Sequence, residues 1–115
     1  MMPGARLNYL ELRAADLAVA KSFYADALDL TFADYGPSYA AATQTGGAAL
    51  GLQGDPNEAA ETPLALFEVD DVEAAATRVR AAGGEIVVAI FAFPGGRRFH
   101  FRDPAGNVLG AWQAA

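Results

Sequence analysis

The sequence contains no cysteine, which removes disulfides, thiolate metal sites and a cysteine nucleophile together and fits a reducing cytoplasm. Histidine is almost as scarce: His100 stands alone, and a single imidazole does not build a metal site. Positive charge is thin, with 8 Lys and Arg against 14 Asp and Glu and a net charge of −6. That balance opposes the clustered positive charge a phosphate backbone requires, so nucleic acid is not an expected partner. No apolar run approaches the roughly 20 residues that span a bilayer, so no membrane partner is expected either. The opening Met-Met-Pro-Gly-Ala-Arg leads into a strand-like segment without the apolar stretch of a secretory signal, and the expected location is cytoplasmic.

What the chain does have is apolar mass: 53% of its 115 residues are hydrophobic and 19% charged, enough to fold as one domain and too apolar for disorder. Leu7 to Arg13 alternates, with Asn8, Leu10 and Leu12 on one face and Tyr9, Glu11 and Arg13 on the other, which predicts a half-buried strand. Asp16 sits at a helix N-cap position, and Leu17, Ala20, Tyr24 and Leu28 follow at helical spacing. Three short strands are expected between Leu30 and Gln53, over LTFADYG, SYAAATQ and AALGLQ, punctuated by Gly36-Pro37 and Gly46-Gly47.

The polar stretch from Gly54 to Thr62 reads as a linker, after which the order repeats. Pro63 to Val69 predicts a strand. Asp70 with Glu73 forms a capping box for a helix through Val72, Ala75, Ala76 and Val79, ended by Gly83-Gly84. Strands follow at Ile86–Phe93, Arg97–Arg102 and Val108–Trp112, with Asp103-Pro104-Ala105-Gly106 as the last turn. Asp71 matches Asp16 at an offset of 71 − 16 = 55 residues. The expectation is an α+β fold of two tandem βαβββ modules, about 5–53 and 63–114, joined by a linker at about 54–62.

Three segments, AADLAVAKSFYADALDL, VDDVEAAATRVRAAGG and FRDPAGNVLGAW, together resemble the vicinal oxygen chelate superfamily of glyoxalase I, extradiol dioxygenases and bleomycin-resistance proteins. The resemblance covers nearly the whole chain and is closest to the glyoxalase-like branch with a G-N-x-x-G-x-W ending, here Gly106 to Trp112. It implies a curled mixed sheet around a concave pocket, with helices on the convex side. It also implies a divalent metal held at positions that match Tyr9, Gly51, Leu64 and Gly110. Glycine and leucine offer no donor side chain, and a tyrosine phenol is a poor lone ligand. The expectation is therefore a member of the family without its metal site and without a cofactor, with a divalent metal as the alternative.

If Gly110 faces the pocket, strand alternation sends Val108 and Trp112 there as well. Arg98 and His100 match pocket-lining positions, and Arg102 shares their face. The first half contributes Tyr9, Glu11, Arg13, Tyr39, Ala41, Thr43 and Gln53, and the fifth strand Leu64, Leu66 and Glu68. An apolar floor with a few polar groups suits a small-molecule ligand. Each polar group also has an ordinary structural role open to it: an ion pair of Glu11 with Arg13 or Arg98, a solvated or paired Arg98 and Arg102, a strand histidine at His100, a core or interface filler at Trp112. The functional expectation is a metal-independent protein that binds an aromatic or amphipathic molecule, with a homodimer as its assembly. The alternative is an enzyme related to lactoylglutathione lyase that uses metal or a Glu11–His100 acid–base pair.

Overall fold

The computed structural model describes residues 4–60 and 63–115. The last two residues of the expected linker therefore lie outside the described residues. The fold is α+β. Strand β1 (Arg6–Arg13), helix α1 (Leu17–Leu28) and strands β2 (Ala33–Asp34), β3 (Tyr39–Ala42) and β4 (Ala49–Gln53) give one βαβββ run. Strand β5 (Leu64–Glu68), helix α2 (Val72–Ala81) and strands β6 (Glu85–Phe93), β7 (Gly96–Arg102) and β8 (Val108–Ala114) give the second. Among the described residues no helix is long and apolar enough to cross a membrane.

By its internal contacts the chain divides into a first unit, Asn8–Leu64, and a second made of the residues up to Leu7 and Ala65–Ala115. The start of β1 thus groups with the second half of the sequence. Arg6 accounts for this locally, donating to Asp70 at 3.1 Å and standing 3.8 Å from Glu68. In the first unit β2, β3 and β4 pair antiparallel and β4 runs parallel to β1. The second unit repeats the pattern, with β6, β7 and β8 antiparallel and β8 parallel to β5. Glu11 faces Gly51 across the parallel pair of the first unit and Leu66 faces Gly110 in the second. The offset, 66 − 11 = 55, is the one read from the two aspartates.

Helix α1 begins as expected, with Asp16 accepting from the Val19 amide. At its end Asp29 adopts a left-handed φ of 58°, and the Leu30 amide returns to the Tyr24 carbonyl. This wrap, with Phe32 against the Tyr24 ring, takes Leu30 to Phe32 out of the expected strand and leaves β2 two residues long. The apolar stripe of α1 is half-buried at Leu17, Ala20 and Tyr24, whereas Leu28 is exposed. Helix α2 corrects the expected cap: Asp71, not Asp70, is the N-cap, accepting from the amides of Glu73 and Ala74. Asp70 is engaged by Arg6 instead. Val72 and Ala76 of α2 close on Phe99 and Ala111 to form the buried core of the second unit.

The Asp103 turn carries its own network. Its carboxylate accepts from the Ala105 and Asn107 amides and from the Asn107 side chain, while Gly106 takes φ 95°. These donors, the Asn107 side chain foremost, hold the carboxyl below its ordinary 3.8. A depressed native value means the turn is stabilised by the ionised form above pH 3.8, and the contribution is lost as pH falls through the native value. The Asp103 carboxyl titrated by NMR is expected to show a midpoint under 3.8 that rises in Asn107→Ala; a midpoint unmoved by that substitution would contradict the assignment.

Candidate functional site

The expected site residues fall on two sheet faces, each within one unit. In the first unit the alternation of β1 brings Tyr9, Glu11 and Arg13 to one side, in register with Ala49, Gly51 and Gln53 of β4. Tyr39 lies opposite Gln53, and Ala41 opposite Gly51. Glu11, a carboxyl on the polar side of its strand, is nevertheless only 3% exposed. Burial of such a group requires hydrogen bonds, and the Tyr39 hydroxyl donates to Glu11 Oε1 at 2.9 Å. The Tyr9 and Tyr39 hydroxyls are 2.7 Å apart.

A phenol has one proton. Since Tyr39 donates its proton to Glu11, Tyr9 donates to Tyr39, and the three side chains form a relay with a fixed sense. Burial, then the Glu11 charge, then Tyr9, push the Tyr39 phenol far above its ordinary 10.0, so it stays protonated and the sense of the relay is kept. Gly51 makes the arrangement possible: a Cβ there would collide with the Tyr39 hydroxyl and stand 2.6 Å from that of Tyr9. Arg13 is exposed at the strand end, outside this relay. Position Thr43 falls beyond the end of β3.

In the second unit the paired residues Arg98–Trp112, His100–Gly110 and Phe91–Arg98 bring β6, β7 and β8 to a common face. Leu66 and Glu68 join it through Gly110 and Trp112, and Val108 through Arg102. The Arg98 guanidinium, 7% exposed, lies 5.2 Å from the Phe91 ring centroid and 5.4 Å from that of Phe93. Phe93 meets Trp112 edge-on at 6.3 Å and Phe91 meets His100 at 5.7 Å. An arginine among aromatic rings is held by cation–π attraction that grows as water is removed. Arg102 differs from Arg98, donating to the exposed Glu85 at 2.7 Å. Leu64, at the start of β5, is 1% exposed.

Phe91 and Phe93 were not among the expected site residues. Their two-residue spacing was visible, but only the pairing of Phe91 with Arg98 turns that spacing into a ring pair around a cation. A separate cavity of about 430 Å³ lies on the opposite side of the second unit's sheet, under α2, lined by Phe67, Val69, Val79 and Phe101 with Arg78. It shares no residue with the expected site.

The donor set does not fit the family's divalent metal. Of the four matching positions, Gly51 lies beneath two phenols, Gly110 packs near Leu66 and His100, and Leu64 has no donor. Among the described residues no three His, Cys, Asp or Glu side chains come together to hold an ion.

Comparison with known proteins places these faces in context. A family model described as the glyoxalase/bleomycin resistance protein/dioxygenase superfamily matches residues 6–110. CFP32, provisionally named a glyoxylase, from Mycobacterium bovis and Mycobacterium tuberculosis, is 30% identical over 93% of this chain. The chain spans 45% of the length of these relatives. Among solved structures, methylmalonyl-CoA epimerase from Mycobacterium tuberculosis superposes with a TM-score of 0.77 at 18% identity, over 100% of this chain and 93% of that one. The Mn(II)-bound glyoxalase from Novosphingobium aromaticivorans gives 0.65 at 22% identity, over 96% and 40%. At these identities the structures share the fold.

Proposed function

Because the chain belongs to the glyoxalase/bleomycin resistance protein/dioxygenase superfamily, we propose that it is a metal-independent binding protein for an aromatic or amphipathic small molecule. The observation that carries this reading is the Arg98 guanidinium set over Phe91 and Phe93 with Trp112 at their edge. Such a surface takes a flat apolar body by stacking while a cation and an imidazole orient its polar groups. Tyr9 and Glu11 supply the corresponding polar groups of the first unit. In the cell we propose a cytoplasmic homodimer, whose partner would cover the exposed Val19, Phe23 and Leu28 of α1, a helix with no fully buried residue.

Calorimetric titration with quinoline, a flat heteroaromatic probe, tests the reading. Saturable binding is expected, weakened about tenfold in Trp112→Ala by the loss of one aromatic contact. Equal affinity in the two proteins, or no saturable heat in either, would overturn it.

A further inference from the structure

We propose that the Tyr9–Tyr39–Glu11 relay of the first unit is a recognition site for a group that donates N–H hydrogen bonds, a primary ammonium above all, and that it discriminates against carboxylates. The proposal rests on the reading of the chain as a ligand-binding protein, but the first unit alone carries it. Its basis is the sense of the relay. Glu11 accepts from Tyr39 at 2.9 Å, and the 2.7 Å contact between the phenols then commits the Tyr9 proton inward. What Tyr9 presents to any further group is its oxygen lone pairs, so a partner at that oxygen must donate.

Exposure gives the relay its direction toward solvent. Glu11 is buried, while Tyr9 and Tyr39 are only partly so, which makes the tyrosines the outer end and the carboxyl the inner anchor. The anchor places a negative charge behind two polarised hydroxyls, and the chain's net charge of −6 adds a field of the same sign. Gly51 keeps the floor beneath both hydroxyls free of a side chain. At the equivalent place in the second unit, Leu66 stands where Glu11 does, facing Gly110. The acceptor character therefore belongs to the first unit and is not a general feature of the repeat.

The test uses the intact chain with ¹³C-labelled tyrosine rings and three probes: benzylamine, benzoate and N,N,N-trimethylbenzylammonium, which keeps the charge and lacks the N–H. Benzylamine is expected to shift the Tyr9 resonances saturably and to bind about tenfold more tightly than either of the others, the worth of one charge-assisted hydrogen bond. In Tyr39→Phe the Tyr9 proton loses its acceptor and is released to donate outward. The preference for benzylamine over benzoate is then expected to shrink about tenfold. Benzoate binding as well as benzylamine, trimethylbenzylammonium matching benzylamine, or an unchanged ratio in folded Tyr39→Phe would each overturn the proposal. Should Tyr39→Phe not fold, the trimethyl probe decides alone. Quinoline binding without benzylamine selectivity counts against this site only; benzylamine selectivity without quinoline binding counts against the aromatic surface of the second unit only.

Discussion

Phe99→Ala is expected to lower the free energy of unfolding by about 4 kcal/mol, the cost of emptying a buried aromatic site that cannot fully collapse. Phe99 is 0% exposed, in the middle strand of the β6–β7–β8 set, and it is the largest side chain of the core formed with Val72, Ala76 and Ala111. Its ring also packs on Phe101 at 5.9 Å. Two of its neighbours are alanines and one is β-branched, so little nearby bulk is free to fill the space. Domains of this kind hold roughly 5–15 kcal/mol in all, and a loss of this size is a large part of it. Urea denaturation followed by circular dichroism measures the change; a loss below about 1 kcal/mol would mean that the core is not organised around this ring.

Gly51→Ala is expected to cost about 3 kcal/mol, by a different route. The added methyl collides with the Tyr39 hydroxyl and crowds that of Tyr9, which is the overpacking penalty of roughly 1–3 kcal/mol. Displacing Tyr39 also withdraws the donor from the buried Glu11, and a buried acceptor left without its partner costs about 1–3 kcal/mol more. The strand itself gains slightly from losing a glycine, by about 0.5–1 kcal/mol. In a Tyr39→Phe background, where the obstructing oxygen is gone, the same substitution is expected to cost less than half as much. Equal costs in the two backgrounds, read from a double-mutant cycle, would show that the hydroxyl is not what excludes a side chain at position 51.

The two predictions concern parts of the molecule that were legible in the sequence to different degrees. The helices were legible because their signals are local: an Asp at the cap, apolar residues at helical spacing, a glycine pair past the end of α2. The repeat was legible for the same reason, since the 55-residue offset of Asp16 and Asp71 is also that of Glu11 and Leu66. Where two local signals competed the reading slipped. Asp70 and Asp71 both offered a cap, and the ion pair with Arg6, 64 residues away, is what occupies the first. Leu30 to Phe32 had strand-like composition, yet the left-handed Asp29 and the aromatic contact with Tyr24 carry them round the end of α1.

The site was legible as a set of positions and not as chemistry. Alternation named Tyr9, Glu11, Tyr39, Arg98, His100 and Trp112, because facing residues of a sheet follow from period two. Alternation cannot say that Glu11 is buried or that Tyr39 is its donor, since that depends on 28 residues of intervening chain and on the missing side chain at Gly51. Nor could it attach Phe91 and Phe93 to Arg98. A strand of mostly apolar residues reads as packing until its register with the neighbouring strand is known, and β6 reaches that register through two irregularities, between Ile86 and Val88 and between Val88 and Phe91.

The central claim, that binding does not require a metal, is tested most directly by the fluorescence of Trp112, the one tryptophan in the chain. Metal-stripped protein is titrated with quinoline, S-benzylglutathione and phenylacetate, each with and without Mn²⁺. The account predicts saturable quenching by at least one aromatic probe, with the same affinity in both conditions. A response that appears only when Mn²⁺ is present would contradict it, and would make the chain a metal-dependent member of its family.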